Sequence, residues 1–221
     1  KVYSGNPNDI SQAQFALKWN STTNRIYIAV KVTDFDHVFS DEFISWDASD
    51  RIEIYCQGDA EGGTEWFGLY NDAQQYYVAP NNFSGSWATW PTGDTTDIDN
   101  ILEYAVSTEG DIIIYEVSIT AFDNYGRFTG EETIITDLIE GNNIGFDVTA
   151  ITLYGEDGFG MLSENLMTHK YRNADNFRRY KLVNKIPHVD CLDLAGDLDR
   201  NCVIDWWDLL ILSNNWLEEV E

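Results

Sequence analysis

The chain has 221 residues, of which 43% are hydrophobic and 14% aromatic, so it is long enough to bury one substantial core and to carry a small additional module. Its 38 Asp and Glu residues outnumber 13 Lys and Arg residues, giving a formal charge of −25, which disfavours nucleic acid and anionic lipid as partners and favours bound cations. No apolar run approaches the roughly 18 residues of a membrane helix, and the opening residues KVYSGNPND are not typical of a signal peptide.

The clearest strand pattern is RIYIAVKVTD, residues 25–34. Ile and Val occupy the even positions from 26 to 32, the period of two that a half-buried strand requires. The preceding residues, Asn20 to Asn24, predict a hairpin loop that joins this strand to QFALKW.

Further strand patterns follow along the chain, separated by Gly, Asn, Asp and Ser. They are RIEIYCQG, EWFGLYND, QQYYVAP, ILEYAVSTEG, DIIIYEVSIT, NNIGFDVTAITLYG and FRRYKLV. Only ITAFDNYG and ETIITDLIEG suggest short helical turns, and NNFSGSWATWP is typical of an exposed loop.

This pattern predicts an all-β fold, an antiparallel β-sandwich of jelly-roll or immunoglobulin-like type, because short strands predominate and helical windows are few. We expect the sandwich to span residues 1–186. A short C-terminal module with a calcium loop and a helix spans residues 187–221, and the boundary falls within the linker NKIPHVD.

The module opens with the acidic segment GDLDRNCVIDWWD. When Asp197 is position 1, oxygen-bearing groups occur where an EF-hand-type loop needs side-chain or backbone oxygens for Ca²⁺. The predicted calcium ligands are Asp197, Asp199, Asn201, Val203 (through its carbonyl), Asp205 and Asp208.

The three cysteines divide into a pair and a single residue. Cys202 stands at loop position 6, where glycine is usual because the turn is sharp. A disulfide from Cys191 to Cys202 would hold that geometry and would indicate an oxidising, extracellular setting. Cys56 lies in a strand pattern and is expected to be a small buried hydrophobe, and three free thiols are the alternative.

Residues 190–218 resemble the calcium-loop and helix repeat of dockerins, the modules that attach secreted proteins to cohesin-bearing partners. The chain carries one such repeat, whereas dockerins normally have two. The helix is too apolar to remain uncovered, so it packs on the chain's own sandwich, on another subunit or on a partner. The resemblance implies partner contacts at Trp206 and Trp207, with Leu210 and Trp216 on the helix.

Residues 13–182 resemble the family 9 carbohydrate-binding modules, in the order FALKWNSTTNRIYIAVKVTDFD, SWDASDRIEIYCQGD, YEVSITAF and NNIGFDVTAITLYG. The resemblance implies a β-sandwich that binds sugar by stacking aromatic rings on it, with calcium as a structural ion.

The same resemblance implies particular ligand-binding residues. Trp46 lies where the family has a stacking tryptophan, and Glu53 where it has a hydroxyl-binding acid. The second stacking tryptophan is missing, and Tyr171 is one of the aromatic residues that could replace it. Trp66, Trp87 and Trp90 offer a second aromatic platform.

No catalytic motif is present, so we expect a non-catalytic protein. The leading hypothesis is a secreted, calcium-stabilised carbohydrate-binding module with a dockerin-like attachment tail, located outside a bacterial cell or on its surface. Its partner is a polysaccharide or glycan, and the C-terminal helix offers a route to a protein partner or to self-association. The alternative is a structural subunit of an extracellular filament, surface layer or complex that assembles through this helix.

Overall fold

A computed structural model describes residues 2–5, 10–41, 43, 49–63, 72–81, 85–91, 93–126, 130–153, 159–163, 167 and 169–183. All of them except Val183 belong to one compact unit, Lys1–Leu182. Among the described residues, no helix is long and apolar enough to cross a membrane.

The described residues are almost entirely β-strand, turn and loop. The strands are β1 (Val2–Gly5), β2 (Ile10–Asn20), β3 (Arg25–Asp34), β4 (Arg51–Gln57), β5 (Gln74–Asn81), β6 (Gly85–Thr89), β7 (Leu102–Glu109), β8 (Ile112–Ile119), β9 (Phe122–Asn124), β10 (Ile134–Ile135), β11 (Asn143–Leu153), β12 (Phe159–Ser163) and β13 (Arg178–Lys181). One helical turn, α1 (Ile98–Ile101), precedes β7, and two 3-10 turns, Lys170–Arg172 and Ala174–Asn176, precede β13.

The strands form two antiparallel sheets and a small ribbon. The larger sheet has the order β1-β12-β11-β4-β5-β6, with β13 also paired to β11. The smaller sheet has the order β2-β3-β8-β7, and β9 pairs with β10. This arrangement confirms the prediction of an antiparallel sandwich.

The core lies between the facing sides of the two sheets. Ile26, Ile28 and Val30 of β3 belong to one buried cluster together with Ile52 and Ile54 of β4. Burial of each such side chain stabilises the fold by about 1.5–3 kcal/mol, so the alternation read from the sequence accounts directly for the packing of the two sheets.

Most of the predicted strands are present with nearly the predicted bounds. The hairpin is confirmed, since β2 ends at Asn20, β3 begins at Arg25 and the two strands pair in register. EWFGLYND lies almost wholly outside the described residues, so that strand stays a prediction.

Two local predictions are wrong. The segment expected to be an exposed loop contains β6, which pairs with β5. The two segments expected to hold helical turns form β9 and β10, with Phe122 opposite Ile135. β-Branched Ile134 and Ile135 favour an extended backbone, and backbone pairing with β9 outweighs the weak helical pattern.

The sandwich is loosely filled where β2 crosses β11 and β12. A cleft of about 240 Å³, partly open to solvent, lies there, and its lining includes Ala13, Phe15, Val148, Ala150 and Leu162. Small side chains at Ala13 and Ala150 leave this space between the sheets.

Candidate functional site

The outer face of the larger sheet carries polar side chains that are buried. In β4 the even residues point into the core, whereas Arg51, Glu53 and Tyr55 lie on the opposite face, yet every residue of the strand is buried. The outer face of the smaller sheet is different, because β7 alternates between buried or half-buried and exposed residues. Buried charged groups need partners, and on the larger sheet they supply them to one another.

We call this set of side chains the polar cluster. It consists of Arg51, Glu53, Tyr55, Gln75, Asp147, Thr149, Ser163 and Lys170.

Glu53 is the centre of one half of the polar cluster. Its Oε1 accepts a hydrogen bond from Arg51 Nη2 at 3.1 Å, and its Oε2 accepts from the Tyr55 hydroxyl at 2.5 Å. Gln75 Nε2 donates to the same Oε2 at 3.3 Å. Burial, followed by the neighbouring Glu53 charge, raises the pKa of Tyr55 well above its usual value, so this hydroxyl remains a donor.

Arg51 is also held on its other sides. Its Nη1 donates to the carbonyl of Ser49 at 3.0 Å, and its guanidinium carbon lies 5.0 Å from the centre of the Tyr77 ring. Together with the ion pair to Glu53, these contacts fix the position of the Arg51 guanidinium.

Lys170 is the centre of the second half of the polar cluster. Its Nζ donates to Asp147 Oδ1 at 2.6 Å and to Thr149 Oγ1 at 3.2 Å, and it also contacts Ser163 Oγ. The same ammonium lies 5.5 Å from the centre of the Tyr55 ring, which links the two halves. Two cations and two carboxylates therefore balance within the polar cluster.

An exposed aromatic group adjoins Lys170 in sequence. Tyr171 is 41% exposed, and the guanidinium of Arg172 lies 4.8 Å from its ring centre. His169 adopts a left-handed backbone with φ of 61°, and its ring centre lies 6.1 Å from that of Tyr171. This group offers a flat ring and donors to a ligand in solvent.

The loop that follows β4 is fixed by hydrogen bonds to its backbone. The Gln57 side chain donates to the Gly62 carbonyl at 2.9 Å and accepts from the Gly62 amide at 2.8 Å. Asp175 accepts from the Gly63 amide at 3.1 Å. Gly62 has φ of +86°, and a Cβ there would lie 2.0 Å from Asp175 Oδ1, so both its conformation and its surroundings require glycine.

Two further buried carboxyl groups, those of Asp34 and Asp50, lie where β3 and β11 end and β4 begins. Thr152 Oγ1 lies 2.7 Å from Asp34 Oδ2 and 3.4 Å from Asp50 Oδ1. Asp50 also accepts from the amides of Val38 at 2.6 Å and Leu153 at 2.8 Å. Burial, more than the nearby Asp34 charge, raises the pKa of Asp50 to about 8.

Four of the predicted ligand-binding residues lie within the described part of the chain, and the fold gives them different surroundings. Glu53 belongs to the polar cluster, and Tyr171 adjoins it. Trp90 is 0% exposed and stacks on Tyr125 with ring centres 5.5 Å apart. Its predicted role as a stacking platform for a ligand is therefore wrong, because its ring fills the core. Trp87 lies on β6, with its backbone opposite Ala79.

Several predicted residues lie outside the described residues and stay predictions. They are Trp46, the calcium ligands Asp197, Asp199, Asn201, Val203, Asp205 and Asp208, the disulfide pair Cys191 and Cys202, and the partner contacts Trp206, Trp207, Leu210 and Trp216. Cys56 is buried with a free thiol, as predicted, and burial raises its pKa to about 12. Within the part of the chain that the structure describes, no three His, Cys, Asp or Glu residues could hold a metal ion together.

Sequence reasoning missed Tyr55, Gln75, Asp147 and Lys170. A signal was present in two strands, since RIEIYCQ and FDVTA place charged residues inside otherwise apolar runs. Lys170 carried no such signal, because it lies in a 3-10 turn that only the fold brings to the sheet.

The described residues define a two-sheet β-sandwich with a polar cluster on one outer face. Two solved structures of a family 9 carbohydrate-binding module from Caldicellulosiruptor kristjanssonii share this fold. The module in complex with cellotriose is 17% identical with a TM-score of 0.63, covering 86% of this chain and 83% of that one. The module in complex with glucose is 17% identical with a TM-score of 0.58, covering 83% of this chain and 85% of that one. No protein-family model and no curated protein matches the chain.

Proposed function

We propose that the protein is a non-catalytic carbohydrate-binding module that binds a neutral sugar chain on the outer face of its larger sheet. The observation that carries the proposal is the polar cluster, in which Glu53 lies on β4 with guanidinium, amide and hydroxyl groups around it. Sugar recognition needs such groups beside flat aromatic rings. The shared fold supports the proposal, since the two similar modules are described with glucose and cellotriose.

The ring expected to stack on the sugar is Trp46, which precedes β4 in the sequence, and Tyr171 is the exposed ring next to the polar cluster. Tyr171 lies in the 3-10 turn Lys170–Arg172, whereas Trp46 lies outside the described residues. A flat ring beside the polar cluster would let the sugar stack while its hydroxyls reach the sheet.

Isothermal titration calorimetry with glucose, cellotriose and a panel of soluble polysaccharides tests the proposal. We expect cellotriose to bind and Trp46→Ala to weaken binding by about tenfold or more, because one stacking contact is lost. Tyr27→Ala is a matched control, since Tyr27 is half-buried on the smaller sheet. Absence of binding across the whole panel would refute the proposal, and an unchanged affinity in the Trp46 variant would refute that ring's role.

We also propose that the C-terminal segment binds Ca²⁺ through residues 197–208 and acts as an attachment tail of a secreted protein. The support is the spacing of the oxygen-bearing residues in the sequence. Light scattering with size-exclusion chromatography, with calcium and with chelator, separates two roles. A calcium-dependent rise in mass indicates self-assembly through the tail, and a constant mass favours a tail that acts within one chain.

A further inference from the structure

The basic residues of this chain are concentrated in one short segment. Residues 170–181 hold five of the 13 Lys and Arg residues and a single acidic residue, Asp175, in a chain whose formal charge is −25. Two of these cations, Lys170 and Arg172, lie in the 3-10 turn beside the polar cluster, and the other three lie on β13. The segment is therefore locally cationic on a strongly acidic protein.

The three cations of β13 are exposed to solvent. Arg178, Arg179 and Lys181 are all exposed, whereas Tyr180 between them is half-buried and packs against the core. Within the part of the chain that the structure describes, the side chains of Arg179 and Lys181 have no ion-pair or hydrogen-bond partner. Both charged groups are therefore available to a ligand in solvent.

Arg179 and Lys181 lie on the same outer face as the polar cluster. Strand β13 pairs with β11 so that Arg179 is opposite Gly145 and Lys181 is opposite Asn143, and directly opposed residues of antiparallel strands share a face. Gly145 precedes Asp147 of the polar cluster by two residues, a step of about 7 Å along that face. The two exposed cations therefore continue the outer face of the larger sheet beyond the polar cluster.

Protection of a sheet edge does not explain the sign of these charges. Any charged side chain discourages edge-to-edge pairing, and β7, at an edge of the smaller sheet, carries the exposed Glu103 and Glu109 instead. The residues of β11 opposite β13 include no acid, so the cations do not compensate a facing carboxylate. Arg179 and Lys181 therefore suit an anionic group from outside the chain.

We infer that Arg179 and Lys181 bind a carboxylate group carried by the sugar chain, so that the ligand is a polysaccharide with a neutral backbone and acidic substituents. The inference rests on the proposed function and deepens it by naming the ligand class. The planar guanidinium of Arg179 presents N–H groups that match the two oxygens of a carboxylate. The Lys181 ammonium adds a second positive charge on the same face.

The negative charge of the whole chain does not cancel this local attraction. Charges farther apart than the Debye length, about 8 Å at physiological ionic strength, are largely screened, so a bound carboxylate interacts mainly with the cations beside it. Exposed ion pairs are individually weak, so two of them should strengthen binding by about threefold to tenfold.

Calorimetry with the whole chain tests the inference, using hydroxyethylcellulose and carboxymethylcellulose of matched chain length as the neutral and the acidic probe. At physiological ionic strength we expect the wild type to bind the acidic probe about three to ten times more tightly than the neutral one, and high salt should remove the difference. Arg179→Gln combined with Lys181→Gln removes both cations from exposed positions and should not prevent folding. This double variant should bind the two probes equally and keep the wild-type affinity for the neutral one.

Lys18→Gln combined with Lys31→Gln is the matched control, because it also removes two positive charges but takes them from the smaller sheet. It should keep the wild-type preference for the acidic probe. If the β13 double variant keeps that preference, or the wild type shows none, the inference is overturned while the proposed function stands. If the wild type binds neither probe nor any other sugar, the proposed function fails and takes the inference with it.

Another anionic surface that β13 could contact is that of a second copy of this chain. Light scattering with size-exclusion chromatography separates this case, and we expect the wild type and the β13 double variant to have the same mass. A larger wild-type mass that falls when the two cations are removed would assign Arg179 and Lys181 to a self-contact and overturn the inference.

Discussion

Asp50 carries a carboxyl group that the fold removes from water. Burial, hydrogen bonds from Leu153 and Val38 and the Asp34 charge act on it together, and their balance raises its pKa from 3.8 to about 8. Tyr115 and Arg51 also face this region, since the Asp34 and Asp50 charges act on Tyr115 and the Arg51 charge opposes them. At neutral pH the folded protein therefore holds a proton that the unfolded chain releases.

This proton makes stability depend on pH. The contribution is fully present below about pH 4, and it decreases as the pH rises toward 8, because unfolding then releases the proton. We expect the wild type to lose roughly 5–6 kcal/mol between these limits relative to Asp50→Asn, which cannot ionise, because each pKa unit corresponds to about 1.4 kcal/mol. Urea unfolding at several pH values measures this loss of unfolding free energy. Asp36→Asn, at an exposed position, is the control. Equal pH slopes in the wild type and Asp50→Asn would contradict the assignment.

Lys170 and Asp147 form an ion pair whose side chains are 3% and 0% exposed. Removing one partner leaves the other charge buried without compensation, so we expect Lys170→Met to cost about 3–5 kcal/mol of unfolding free energy. Lys170→Met combined with Asp147→Asn should recover a large part of that loss, because no charge is then left alone. Chemical denaturation provides the measurement, and Lys181→Met, on exposed β13, is the control. A double variant no more stable than the single one would show that the pair is not the source of the cost.

At the scale of elements, β2 packs less tightly than β3. Ala13, opposite Val32, is partly buried and lines the partly open cleft of about 240 Å³. The edge of the smaller sheet therefore has room for additional methyl groups.

Filling this space should stabilise the sandwich. We expect Ala13→Val to add about 0.5–1.5 kcal/mol, because it buries apolar surface in existing space and suits a strand. Ala88→Val is the matched control, since Ala88 is buried in the core cluster, and it should destabilise by about 1–3 kcal/mol through overpacking. Thermal unfolding of both variants tests this, and a destabilised Ala13→Val would mean that the space is not available to a side chain.

The strands could be predicted from sequence wherever period-two alternation was long, as in β3, because the hydrophobic pattern fixes both the element and its buried face. β9 and β10 could not, because two or three residues carry too little pattern and their pairing is decided by tertiary contacts. The site shows the same division. Glu53 could be named because SWDASDRIEIYCQGD resembles the family segment that carries a hydroxyl-binding acid. The pairing of Asp147 with Lys170 could not be predicted, because Lys170 lies 23 residues away in a 3-10 turn that only the fold brings to the sheet.

Trp90 illustrates why aromatic residues are poor guides to a site. Its local sequence, SWATWP, is typical of a loop, but the strand β6 ends at the preceding residue, and its ring lies 4.8 Å from that of Tyr76 in the core. In an all-β chain a tryptophan gains more from burial than from exposure. Its neighbourhood in sequence does not reveal which of the two the fold provides.

At the scale of the whole molecule, the charge of −25 opposes compactness through self-repulsion. Sodium and calcium ions should reduce this self-repulsion to different extents. Sodium screens all carboxylates weakly, whereas Ca²⁺ also binds where oxygens converge, which the sequence predicts for residues 197–208. Comparing the two at equal ionic strength separates general screening from specific binding.

We therefore expect millimolar CaCl₂ to raise the melting temperature of the full chain more than NaCl at the same ionic strength. Binding only to the folded form stabilises it by an amount that grows with the logarithm of ligand concentration over Kd, about 2.7 kcal/mol at a hundredfold excess. Asp208→Asn removes the predicted bidentate ligand at loop position 12 and should abolish the difference between the salts, whereas Asp137→Asn, elsewhere in the chain, should preserve it. Differential scanning calorimetry measures all three proteins. Identical melting temperatures of the wild type in the two salts would show that its acidic residues interact with calcium only through screening, and the predicted loop would then bind no ion.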